Sequence, residues 1–148
     1  MKRFLFILIF LISSCGYKPI YLNDNLKNFE FNKIIAEGEK EINRNIINSL
    51  SLKENRNDKQ LNELLIKSSF RVEETSKNKK GQVKSYRSSI LVNLTVSKNK
   101  SIIKNKSFSE EFVYNTKENK FELTEYQADI KEDLINKVIE DIILFLNL

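Results

Sequence analysis

Histidine and tryptophan are absent from the 148 residues, and cysteine, proline and methionine occur once each. Without His the chain lacks both the usual general base near neutral pH and the commonest metal ligand. One Cys can form neither an internal disulfide nor a thiolate metal cluster. These absences argue against an enzyme and leave no expected metal or cofactor. There is also no uninterrupted apolar run near the roughly 20 residues that a permanent membrane helix needs. What remains is an ordinary balance of 41% hydrophobic and 30% charged residues, which suits one domain with a modest core. Asn, Lys and Ile recur throughout as a compositional bias of the kind an AT-rich genome imprints, so the pI of about 9.2 says little about partners.

The single cysteine is placed at the end of a distinctive N-terminus. Lys2 and Arg3 make a positive head, Phe4 to Ile12 an apolar stretch of nine residues, and Ser13-Ser14 a pair of small residues suited to a peptidase. This order predicts a signal peptide over 1–14. Ile12-Ser13-Ser14-Cys15 also resembles the bacterial lipobox, in which the Cys thiol is thioether-linked to diacylglycerol, the signal is cut before it, and the freed amine is acylated. One acyl chain holds a protein to a bilayer only marginally, whereas two or more anchor it stably. Cys15 is therefore expected to be an anchor and not a nucleophile. The next residue is Gly16, where an Asp would favour retention in the inner membrane, so the expected address is the outer membrane, on its periplasmic side. Cleavage would remove Lys2 and Arg3 and lower the net charge from +5 to +3. That small charge and a periplasmic address both argue against nucleic-acid binding.

Residues 15–28 contain Pro19, several Asn and an Asp with little periodicity, and read as a lipidated tether. A single domain is expected over 29–148. Phe29, Phe31, Ile34 and Ile35 predict a short strand ended by Gly38, although its alternation is imperfect. Ile42, Ile46, Ile47 and Leu50 then fall at helical spacing, with Glu39 and Glu41 at the start, where the helix dipole favours anions. Two long strands follow, one with Leu64, Ile66, Ser68, Phe70 and Val72 on one face, the next with Ile90, Val92, Leu94 and Val96. The basic segment between them, turned by Gly81, predicts an antiparallel hairpin. Phe108, Phe112 and Tyr114 mark a fourth strand around 107–115. The last element is a helix whose apolar stripe holds Ile130, Leu134, Ile135, Val138, Ile139, Ile142, Phe145 and Leu146, opposite Glu132, Asp133, Asn136 and Glu140. Thr124 and Gln127 fit a capping box at its start.

The expected fold is therefore α+β, in the order β-α-β-β-β-α: a mixed four-stranded sheet with two helices packed on one face. A strand–helix–strand connection is usually a right-handed crossover, so the first two strands should be parallel and the later hairpins antiparallel. The opposite sheet face should be polar, through Lys67, Arg71, Ser89 and Asn93.

Cys15, Gly16, Tyr17, Lys18, Pro19, Ile20 and Tyr21 resemble the opening of the LptE family of LPS-assembly lipoproteins, whose members begin with a lipidated Cys, Gly-Tyr, a basic residue, Pro, an apolar residue and Tyr. Element order, length and the long final helix are similar as well, by pattern and not by an alignable motif. The resemblance implies a non-enzymatic outer-membrane lipoprotein that plugs an LptD-like β-barrel and assists lipopolysaccharide on its way to the cell surface. It also implies contact with the phosphates of lipid A, for which Arg71, Lys84, Arg87 and Lys98, on or beside the central hairpin, are the candidates. The same residues suit an ordinary solvated strand face equally well. An auxiliary lipoprotein of another system, such as phospholipid transport or a secretin pilot, would share the anchor and the fold class. A hydrolase is the weaker rival: Glu73-Glu74 and Glu110-Glu111 are adjacent carboxylates, but neighbours along a strand point to opposite faces.

Overall fold

Period-two and period-3.6 apolar patterns alternate along the chain, and the computed structural model, which describes residues 29–147, turns them into six strands and two helices. In order these are β1 (Glu30–Phe31), β2 (Lys33–Gly38), α1 (Lys40–Ser49), β3 (Lys53–Glu54), β4 (Glu63–Lys77), β5 (Val83–Lys98), β6 (Ser101–Asn115) and α2 (Lys120–Asn147). The predicted signal peptide, the tether with Cys15, and Leu148 lie outside the described residues.

The main sheet has the order β2-β4-β5-β6. β2 pairs with β4 in parallel, while the β4–β5 and β5–β6 pairs are antiparallel. Both helices pack on one face, so the expected architecture is present. The imperfect alternation near the start has a physical cause. The expected first strand is two strands, broken by a bend at Asn32, whose backbone N–H donates to Asn62 O at 2.8 Å. Phe31 faces the core before the bend, and Ile34, paired with Leu64, faces it afterwards, so the apolar phase shifts by one residue. β1 pairs instead with β3 as a small parallel annex.

Gly38 ends β2 with φ +91°, and an added Cβ there would lie 1.9 Å from Ser68 O. Only glycine fits so close a backbone approach. The chain then enters α1, which buries Ile42, Ile46 and Asn43. Asn43 Nδ2 donates to Glu37 O at 3.0 Å and ties this helix to the end of β2.

β6 begins six residues earlier than the apolar pattern indicates, at Ser101, because its first half carries no buried side chain before Phe108. Asn99 and Lys100 link it to β5 with φ of 49° and 66°. Two consecutive positive φ values are what a two-residue type I′ hairpin turn requires, here built without glycine. The start of α2 also differs from expectation. Asn119 is the cap: its Oδ1 accepts the Phe121 N–H at 2.8 Å. Thr124 lies inside the helix, where its hydroxyl donates to Lys120 O at 3.0 Å, so it cannot begin a capping box.

α2 buries Ile130, Leu134, Ile135, Val138, Ile139 and Ile142 against Ile90, Val92, Leu94 and Phe108 of the sheet. Phe145 meets Phe108 edge-on, with ring centroids 5.8 Å apart. Between the helices, Lys131 reaches from α2 to Glu41 of α1 at 2.5 Å and lies over the Phe70 ring. The far halves of β4 and β5 run past this covered zone as an exposed arm, closed by the turn around Gly81, where Asn78 Oδ1 accepts the N–H groups of Lys80 and Gln82.

Candidate functional site

Because the crossover and the return of α2 put both helices on one side, the other face of the sheet is left open. Its side chains are the residues between the core positions, and cross-strand pairing sets them in rows. One row is Glu37, Lys67, Asn93 and Ser107; the next are Ser69, Leu91 and Ser109, then Arg71, Ser89 and Glu111, then Glu73, Arg87 and Val113. Leu65, Thr95 and Asn105 form a further row on the other side of the first.

Hydroxyls and amides dominate the middle of this face. Ser107 donates to Asn93 Oδ1 at 2.5 Å, and Thr95 to Asn105 Oδ1 at 3.3 Å. Four of the six charged groups in these rows are paired, Lys67 with Glu37 at 3.0 Å and Arg87 with Glu111 at 3.7 Å, while Arg71 and Glu73 join no ion pair among the described residues. Such solvent-exposed pairs contribute under about 1 kcal/mol each to stability, so their main effect is to keep the face close to neutral. Ser69, Arg71, Ser89, Leu91, Ser109 and Glu111 surround a shallow depression of about 360 Å³. This surface offers many hydrogen-bond donors and acceptors and little net charge, which suits a broad polar contact.

The four candidate cations divide between different places. Arg71 and Arg87 lie diagonally across the β4–β5 pair on the open face, since Arg71 pairs with Ser89 and Arg87 with Glu73. Strand diagonals of this kind lie about 7–8 Å apart, so the two can address one anion. Lys98 lies nine positions further along β5 than Ser89, about 30 Å away at the usual strand rise. Lys84 is exposed on the distal arm, at the other end of the same strand. The structure therefore brings two of the four together and leaves the other two at opposite ends. Glu110 is half-buried on the helix-covered face opposite Ile90, and Glu111 is on the open face opposite Ser89. Glu73 and Glu74 divide in the same way, so neither adjacent carboxylate pair converges.

Among the described residues two titrating groups depart from ordinary behaviour, and neither is on the open face. The Glu54 carboxyl is held below its usual range by a hydrogen bond from Arg56, helped by the Ile34 N–H. Lys77 on the distal arm is raised by its hydrogen bond to Glu74, at 2.9 Å. No helix among the described residues is long and apolar enough to cross a membrane.

No family model matches the chain, and no curated protein does. Solved structures do. The crystal structure of the rare lipoprotein B from Shewanella oneidensis superposes with a TM-score of 0.56 at 16% identity, covering 76% of this chain and 90% of that one. The solution structure of a lipoprotein B from Nitrosomonas europaea gives 0.58 at 11% identity, over 86% and 88%. A minor lipoprotein from Acinetobacter baumannii gives 0.54 at 10%, over 78% and 90%. At such low identity the likeness establishes the fold alone: the chain has the same α+β fold as these lipoproteins, over nearly their whole length.

Proposed function

We propose that this chain is an outer-membrane lipoprotein, anchored through Cys15 on the periplasmic side, that seats in an LptD-like β-barrel and assists lipopolysaccharide assembly. The observation that carries this reading is a conjunction within one chain: the LptE-like opening from Cys15 to Tyr21, followed by a domain whose fold is that of several solved bacterial lipoproteins. The open sheet face supports the plug role. A wide barrel has a polar lumen, and a plug must present groups that hydrogen-bond to it without burying unpaired charge. The rows around Asn93, Thr95, Ser107 and Ser109 meet that requirement. With strands about 4.8 Å apart and a rise of about 3.3 Å per residue, the face offers on the order of 800 Å², near the usual share of one partner in a stable interface. Arg71 and Arg87, as diagonal neighbours beside the depression, are the pair best placed for a lipid A phosphate.

The test is purification of the tagged full-length chain from detergent-solubilised outer membranes of its own cells. A large β-barrel should co-purify with it in stable proportion, and lipopolysaccharide should be retained. Replacing Arg71 and Arg87 together with Glu should weaken lipopolysaccharide retention more than barrel association. Recovery of the chain with no barrel, or with lipopolysaccharide held no better than by an unrelated protein of equal charge, would overturn the assignment.

A further inference from the structure

The tight turn between β5 and β6 is chemically unlike the rest of the surface. Ile102 and Ile103 are 66% and 52% exposed there, although isoleucine is a residue type that proteins usually bury. A bulge in the ladder at this point turns the pair outward: Val96 is opposite Lys104 and Ser97 opposite Ile102, which leaves Ile103 unpaired. Leu144, in the last turn of α2, is a further exposed apolar residue at 64%. It is brought to the same end of the molecule by its neighbour Phe145, whose ring lies beneath Lys104 Nζ at 5.5 Å and Lys106 Nζ at 5.6 Å.

Lys98, Lys100, Lys104 and Lys106 surround these apolar groups, and no Asp or Glu occurs anywhere from residue 75 to residue 109. None of the four lysines joins an ion pair among the described residues. The nearest acid in the ladder is Glu63, opposite Ser97. Isoleucines at a tip with a collar of free lysines match the two layers of an anionic bilayer surface, where apolar side chains enter the acyl boundary and ammonium groups remain among the phosphates.

The chain's own connectivity brings that end to a membrane. Lys33, at the start of β2, is opposite Glu63, which is in turn opposite Ser97, so the point where the tether enters the domain and the β5–β6 turn share one end of the sheet. Residues 16–28 separate Cys15 from Phe29 and can span at most about 45 Å. We propose that the β5–β6 turn, with Ile102 and Ile103 as its inserted residues and Lys98 and Lys100 as its headgroup contacts, docks on the anionic phospholipid surface and orients the domain with the distal arm pointing away from the bilayer. This rests on the anchor reading for the direction of approach but makes a separate claim about a surface of the folded domain.

Cys15 is the only cysteine, and lipidation would block its thiol, so an engineered cysteine can be labelled alone. The full-length lipidated chain carrying Ile103→Cys, labelled with an environment-sensitive dye, is reconstituted in vesicles containing about one-third phosphatidylglycerol, with Lys79→Cys on the distal arm as the comparison. The expected result is a blue-shifted dye at position 103, quenched several-fold more by a lipid-borne quencher than the dye at position 79. That difference should collapse in purely zwitterionic vesicles and in the Lys98→Gln, Lys100→Gln background, since each lysine near an anionic surface strengthens attraction about fivefold. Equal, water-like signals at the two positions would overturn the proposal, as would loss of the signal at 103 on adding millimolar inorganic phosphate, which would indicate a small-anion site instead. Dye attachment to the chain with no engineered cysteine would show a free Cys15 and overturn the anchor reading alone. Docking is then read by mixing the same vesicles with the Cys15→Ser, Ile103→Cys chain, with the same two outcomes deciding it.

Discussion

The two faces of β5 come from the same sixteen residues and have opposite environments. Ile90, Val92, Leu94 and Val96 are buried beneath the helices, whereas Ser89, Leu91, Asn93 and Thr95 stand on the open face. Both sets share one backbone, one ladder and one secondary structure. The difference teaches that strand formation carries little information about contacts here, and that stability is concentrated on the face the helices happen to cover. Burial of a Leu, Ile or Val side chain contributes about 1.5–3 kcal/mol, against a few tenths for an exposed polar residue.

The sharpest way to break this asymmetry is to charge the covered side. Leu134→Asp or Val138→Asp places an unpaired carboxylate where the native side chain is almost wholly buried and should cost about 4 kcal/mol or more. A denaturant titration would show it as a large fall in midpoint, or as failure to fold. Gly38→Ala comes next: the added methyl meets the Ser68 carbonyl and φ stays positive, for a loss on the order of 3 kcal/mol. Gly81→Ala, with φ +79° and open space around it, should lose only about 1 kcal/mol. Equal losses at the two glycines would show that the Ser68 approach does not constrain the β2–α1 junction.

Ser88 tests the boundary between the covered zone and the exposed arm. It is fully buried, and its hydroxyl is 3.1 Å from Tyr114 Oη, so Ser88→Ala leaves a buried phenol short of a partner and should cost about 2 kcal/mol. Tyr114→Phe in the same background should recover part of that loss, because both polar groups are then gone. On the open side, Asn93→Ala should stay within about 0.5 kcal/mol, as should Glu132→Ala and Glu140→Ala on the solvent side of α2. A large effect from Asn93 would mean that its bond to Ser107 helps hold the sheet itself.

The smallest effect concerns pH. The Glu54 carboxyl titrates below its ordinary value of 4.5 in the folded chain, chiefly through Arg56. Its stabilising contribution is therefore present above that value and fades as the pH falls through the lowered one. Glu54→Gln should slightly lower thermal stability near neutrality, and the difference from the unaltered chain should vanish as the pH falls through the lowered value, which flattens the acid limb. The group is solvent-exposed, so the change will be small.

Much of this was legible in the residues. The period-two runs of β4 and β5 and the wide stripe of α2 identify their own buried faces, because each pattern can satisfy only one face of one kind of element. The missed features share a cause. The first half of β6 has no apolar alternation, since it is an edge strand whose side chains before Phe108 all stay exposed, and its existence depends on β5 as a hydrogen-bonding template. Thr124 and Gln127 imitate a helix start, yet the helix begins four residues before Thr124, where Asn119 meets a free backbone N–H. Arg71, Lys84, Arg87 and Lys98 look like one basic hairpin in one dimension. Strand rise spreads them along a ladder, and pairing reunites only the first and third.

By itself the sequence determined the element types, the faces that must be buried, the order β-α-β-β-β-α and the chemical character of the N-terminus, because these depend on spacing and composition within short windows. Only the tertiary structure decided that the apolar phase breaks at Asn32, that Lys67 pairs with Glu37 and Arg87 with Glu111 across the open face, and that the tether entry and the Ile102–Ile103 turn share an end. Those properties depend on which strands pair and on where two helices come to rest, and such long-range contacts leave no period in the chain.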